Sequence, residues 1–261
     1  AWRQAFGRGS GEDDSNELLS YRTAYLMLLV GVVYLLFWLS HAGVSFIVAF
    51  VLIVFSQFIY LGIARLAFEA GVLHVNAPLH ACTIIVEAAG SANLAHSTLA
   101  GLGLVFWKFS NVKALFLISF GHAAALSQSP PVNLPRRPIS RVLAIVLPLT
   151  TIVAIWYTMH LGFSMGGFNF DEWVFRASAE EPYVALMRWI TDPKPADYHR
   201  LSFMGIGATL MGFLTWLRYM FPWWPLHPIG LAICFSYHIS HSFLSFLIAW
   251  TTKSLTLRLG G

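Results

Sequence analysis

The sequence predicts an all-α, polytopic integral membrane helical bundle of six to seven transmembrane helices, one of them open to two readings as continuous or as broken and re-entrant. Hydrophobic residues fill 57% of the 261 positions and charged residues only 11%, outside the range of an ordinary soluble domain. Runs of Leu, Ile, Phe, Val and Trp last roughly 18 residues or more, the length an α-helix needs to cross a hydrocarbon core of about 30 Å. The short alternating segments of a transmembrane β-barrel are missing from the sequence.

Residues 1–20 are polar, with Arg3 and Arg8 ahead of Glu12, Asp13, Asp14 and Glu17, and lead as a surface segment into the first helix. The chain starts at Ala1 with neither an initiator Met nor a signal-peptide pattern, so either the Met was removed or this is part of a longer polypeptide. Tyr21 to Ser40 is the first span, His41-Ala42-Gly43 a turn and Val44 to Ile63 the second span, together a helical hairpin. Its continuation to Ala70 places Arg65 and Glu69 four apart on one face, a spacing that suits an ion pair and equally a coupling-ion role.

Within the membrane block 21–126, residues 65–103 read RLAFEAGVLHVNAPLHACTIIVEAAGSANLAHSTLAGLG and concentrate the polar side chains. Gly71 to Pro78 breaks the helix. Leu79 to Trp107 is then either one long span, its Gly, Ala and Ser serving close helix packing, or two half-helices meeting near Gly90-Ser91-Ala92-Asn93, whose ends face a substrate or ion. Val112 to Leu126, with His122, is a further apolar segment, and the Pro/Arg stretch 127–141 an extended, cytoplasmic loop.

Val142 to Gly162 is the next span, with Pro148 as a kink. Residues 163–200 form an extramembrane connection holding an amphipathic, interfacial helix over Ala177 to Ile190. The C-terminal hairpin 201–261 comprises a span over Leu201 to Tyr219, a rigid turn with Pro222, Pro225 and Pro228, and a last span over Ile229 to Thr252. One crossing over 79–107 gives seven spans and a cytoplasmic N-terminus; a re-entrant segment gives six and reverses part of that assignment.

The formal charge of +4 is modest and its carriers cluster at segment ends, where they set topology, so no nucleic-acid partner is expected. Cys82 and Cys234 lack CxxC spacing and read as small buried apolar residues. Phosphate-binding loops, nucleophile elbows and HExxH helices are missing from the sequence, so enzymatic chemistry is not expected. The ten histidines need an explanation in a membrane chain. His238, His241, Ser242 and Ser245 share one helical face, fit for interhelical hydrogen bonds, a polar path, or a metal or pigment ligand. Glu87 stands out most, because an intramembrane carboxylate must be protonated, paired or hydrated. It lies two turns from His80, while His96 lies beyond the glycine break.

Two segments carry a resemblance. The end of the chain holds Trp223 to Pro228, then Trp250, Lys253, Leu255, Leu257, Arg258, Gly260 and Gly261, matching a WWPLHP-type turn and a W-x-x-K-x-L-x-L-R-x-G-G ending. Ala64-Arg65, Glu69 and Gly71 match an AR-x-x-x-E-x-G motif. From about Leu18 onward the chain thereby resembles the C-terminal half of an uncharacterised bacterial membrane-protein family, itself similar to the oligopeptide transporter superfamily. The resemblance implies proton-coupled uptake of a peptide or metal chelate.

The expected carrier has Arg65, Glu69, His80, Glu87, Asn93 and His96 along its substrate or ion path, with His238 and His241 as a candidate ligand face. It requires no cofactor. Its partners are the lipid bilayer, other copies, or other membrane subunits including an N-terminal half, and its place is the bacterial cytoplasmic membrane. The rival expectation is an accessory subunit of a larger respiratory or photosynthetic complex. A third is a redox protein binding haem, chlorophyll or metal through its histidines.

Overall fold

The computed structural model describes residues 19–70, 80–106, 109, 116–127, 136–169, 176–221, 223–224, 226–234 and 237–259. All regular structure among them is helical. In chain order the helices are α1 (Tyr21–His41), α2 (Phe46–Ala70), α3 (Ala81–Ala89), α4 (His96–Leu104), α5 (Phe116–Ser127) and α6 (Arg136–Met165). They continue with α7 (Ser178–Thr191), α8 (Tyr198–Met220), α9 (Pro228–Ile233) and α10 (Tyr237–Leu259). Single 3-10 turns follow α3 at Ser91–Asn93 and α6 at Gly167–Asn169.

Among the described residues, four helices are long and apolar enough to cross a membrane: α1, α2, Pro138–Met165 of α6, and α8. They coincide with the spans expected over Tyr21 to Ser40, Val44 to Ile63, Val142 to Gly162 and Leu201 to Tyr219. Their apolar side chains are largely uncovered by protein: Ile145, Leu149, Ile152 and Trp156 all project from α6 without burial. So large an apolar surface is untenable in water and ordinary against lipid tails. The chain is therefore an all-helical protein suited to the membrane.

Two boundaries differ from expectation. The Pro/Arg stretch is not all extended, because α6 already begins at Arg136. Pro138 falls in its first turn, where a missing N–H leaves no intrahelical hydrogen bond unmade. The expected last span is divided between α9, with Pro228 as its first residue, and α10. α10 is 23 residues long, but His241 and Ser242 make its beginning polar.

The main core lies between the first hairpin and α3, α4 and α7. Leu39, Leu52, Ile53, Cys82, Leu99 and Leu102 are its fully enclosed members. α4 crosses the α1–α2 turn closely: Ser45 N–H donates to Thr98 Oγ1 at 3.2 Å, and a Cβ on Gly101 would stand 2.6 Å from Val44 Cγ2. α7 packs along α4, placing Ala185, Leu186 and Trp189 on the core. The amphipathic helix predicted at the interface thus spends much of its apolar stripe on protein. A second, smaller cluster joins Ile63, Ala64 and Ala67 of α2 to Ile118 of α5.

Candidate functional site

Ala81, Cys82, Ile84, Ile85 and Val86 are buried, and α3 packs on α2. Gly90 ends α3 with φ 81°, a left-handed conformation that costs glycine little and other residues much. The chain then makes its 3-10 turn and re-enters helix at His96. A straight helix over residues 80–106 would separate its ends by about 39 Å at 1.5 Å per residue. Instead the rings of His80 and Phe106 lie 5.6 Å apart. α3 and α4 therefore form a hairpin, and the single continuous span over Leu79 to Trp107 is not what the chain adopts.

Breaking a helix orphans its last carbonyls, and at membrane depth such groups must be met by protein. The segment between α7 and α8 does this. Asp197 N–H donates to Glu87 O at 2.9 Å, and Ala92 N–H to Lys194 O at 3.1 Å. Lys194 N–H donates to Ser91 Oγ at 2.9 Å. Asn93 Nδ2 donates to Ala89 O at 2.9 Å, and Gly90 N–H to Val86 O at 2.8 Å. The crossing is close enough that a Cβ on Gly90 would meet Ala196 N at 2.7 Å and Pro195 C at 2.9 Å.

The same crossing brings in a cation. Asp197 caps α8, its carboxylate accepting from Arg200 N–H at 2.9 Å. Arg200 thus stands in the first turn, at the positive end of the helix dipole, an unfavourable place for a cation unless an anion answers it. Glu87 answers it: Arg200 Nη1 and Glu87 Oε1 form a salt bridge. The Glu87 side chain is 16% exposed and that of Arg200 65%, so the carboxylate is the sheltered member.

These groups line a cleft of about 740 Å³ between α3, α7 and the start of α8. Its walls carry five carboxylates, Glu87, Glu180, Glu181, Asp192 and Asp197, against three fixed cations, Arg188, Lys194 and Arg200. Lys194 pairs with Asp192 at 3.1 Å. His80 and Phe106 close one end, and Phe106 continues to Trp189 at 6.3 Å between ring centroids. Among the described residues, His80 Nδ1 is buried there without a hydrogen-bond partner. The cleft combines an acidic lining, a breakable ion pair and an aromatic wall, features that suit a small ligand bearing both charges.

The expected path residues do not form one site. His80 and Glu87 line this cleft. Arg65 and Glu69 lie in a second, between α2, α8 and α9, where Arg65 Nε donates to Glu69 Oε1 at 2.7 Å. Asn93 is spent on the α3 terminus, and His96 is exposed at the start of α4 and lines neither cleft. His241 is exposed on α10, whereas the side chain of His238 lies outside the described residues. Among the described residues no three His, Cys, Asp or Glu side chains gather as a metal site. Cys82 is buried as expected, but Cys234 is exposed at the end of α9, its Sγ donating to Leu231 O at 3.1 Å.

Arg200, the 192–197 segment and the acidic turn of α7 were not among the expected site residues. A signal for Arg200 existed in Asp197-Tyr198-His199-Arg200: a capping aspartate followed three residues later by a cation calls for a distant anion. Comparison with curated proteins and with solved structures finds no match. One family model spans residues 1–261, and by that match the chain belongs to the Family of unknown function (DUF6785).

Proposed function

We propose that this protein is a membrane carrier similar to oligopeptide transporters, taking up a peptide or metal chelate with protons as the coupling ion. The observation that carries the reading is the sheltered Glu87 paired across the α3–α4 break with Arg200, in a cleft large enough for a small solute. A zwitterionic peptide matches the pair: its carboxylate takes Arg200 and its ammonium group takes Glu87 or the acids of α7. Protonation of Glu87 releases Arg200 for the substrate carboxylate while the acids of α7 take the ammonium group, so proton and substrate are carried together. Broken helices that meet a substrate with their ends are a recurrent device of secondary transporters.

Reading α5 and α10 as crossings beside α1, α2, α6 and α8 gives six, with α3–α4 re-entrant. The bacterial cytoplasmic membrane suits such a carrier. The test is uptake of labelled dialanine by the full-length protein in proteoliposomes under an inward proton gradient. Glu87→Gln is expected to abolish uptake while the elution profile and melting temperature stay close to those of the parent. Unimpaired uptake by that variant removes Glu87 from the mechanism, and a parent protein that leaves dialanine outside overturns the peptide reading.

A second reading, an accessory subunit of a larger membrane complex, is favoured by α6, whose apolar sides are uncovered. Further helices would cover them as well as lipid does. A native mass spectrum of the gently solubilised protein decides: a stoichiometric heteromer supports the subunit, and homomers alone exclude it.

A further inference from the structure

The second cleft, about 620 Å³ in volume, opens between the C-terminal halves of α2 and α8 and the start of α9. Its depth follows from the helices. α2 has 25 residues and so measures about 37 Å, more than the roughly 30 Å of a hydrocarbon core, which leaves its final turns at headgroup level. α8 ends at Met220, and Trp223 and Trp224 follow directly, the aromatic residues favoured at that level.

The cleft is rich in donors. Arg65 is 71% exposed and gives its Nε to Glu69, and the two Nη groups of the planar fork add further donors. Arg218 occupies the last turn of α8. Tyr219 reaches Arg65, while Arg218 and His227 stand near Glu69. His227 Nδ1 accepts from Ile229 N–H at 3.1 Å, which in the neutral ring puts the proton on Nε2. Among the described residues, two guanidinium groups thus face a single carboxylate in this cleft. Leu66, Met211 and Ile229 add apolar wall.

We propose that this cleft seats the headgroup of an anionic phospholipid, its phosphate bridging Arg65 and Arg218. Forked guanidinium donors fit phosphate oxygens in pairs, the apolar wall takes the glycerol and first methylenes, and the aromatic turn after α8 holds the site at headgroup level. Glu69 is the antagonist: it occupies Arg65 and repels the phosphate, so the lipid must displace it. The inference is independent of what the first cleft carries and needs only that α2 and α8 cross the bilayer.

Native mass spectrometry of the delipidated full-length protein tests it, with dioleoylphosphatidylglycerol and dioleoylphosphatidylcholine titrated separately. The parent is expected to prefer the anionic lipid. Arg218→Gln and Arg65→Gln are each expected to weaken its binding about five-fold, the effect of one basic residue near an anionic surface. Glu69→Gln is expected to strengthen it, an opposite effect that misfolding does not mimic. Equal binding of the two lipids, or unchanged phosphatidylglycerol binding in both arginine variants, overturns the proposal. Displacement of the lipid by inorganic phosphate overturns it in favour of a soluble ligand.

Discussion

Two ion pairs, each an arginine with a glutamate, mark the two clefts, and they differ in what they join. Arg65 and Glu69 are one turn apart on α2, with side chains 71% and 42% exposed. Their contact exists as soon as the helix does and is made within α2 alone. Glu87 and Arg200 are 113 residues apart, belong to different helices, and shelter the carboxylate to 16% exposure. They meet only when α8 has docked on the α3–α4 hairpin. Adjacency in sequence is therefore a poor guide to consequence: the pair visible in the sequence is local, and the pair invisible there reports tertiary structure.

The hardest way to break the second arrangement is at its crossing. Gly90→Ala forces a Cβ onto the backbone of Ala196 at φ 81°, and left-handed strain plus that clash should cost about 3 kcal/mol or more. Gly205→Ala on α8 is the control, since its Cβ meets nothing within 4 Å; it should leave stability unchanged or raise it slightly. Thermal unfolding of both variants in the same detergent checks the contrast. Similar losses in both would mean that residues 192–197 do not lie on Gly90 as described.

A double-mutant cycle sharpens the comparison further. Glu87→Gln, Arg200→Gln and the double variant should show a coupling of about 1 kcal/mol, because one partner is sheltered while the other is open to solvent. The corresponding cycle on Arg65 and Glu69 should show no coupling that unfolding resolves, since both groups are exposed on one helix. Equal couplings in the two cycles would erase the distinction drawn here.

Much of the scaffold was legible because length and apolarity alone specify a crossing helix, and Tyr21, Phe46 and Tyr198 open helices close to where the apolar runs begin. The hairpin was legible only as an alternative. Gly90, Ser91 and Ala92 suit tight packing in a continuous helix as well as a break, and what decides is the 192–197 backbone arriving from over 100 residues away. Arg200 was read as the end of a connecting loop, since no local pattern reveals that its anion is Glu87. The α9–α10 division also escaped periodicity: Ile229 to Thr252 reads as one span, yet α9 ends at Ile233. Arg65 and Glu69 were found at once, because one-turn spacing carries its own partner.

The order in which the chain is made gives the α3–α4 break a further consequence. Glu87 leaves the ribosome 113 residues before Arg200, which at about 5–20 residues per second is roughly 6–23 s. During that interval α3 has no cover for its Glu87 carbonyl and no counter-charge for its carboxylate, two groups that hydrocarbon penalises heavily. A hairpin that is re-entrant, as proposed, would therefore wait, in water at the membrane surface or in the shelter of the insertion machinery, until α8 is synthesised. Assembly of the first cleft is thus a late event in the biosynthesis of this protein, although its first residues are made early.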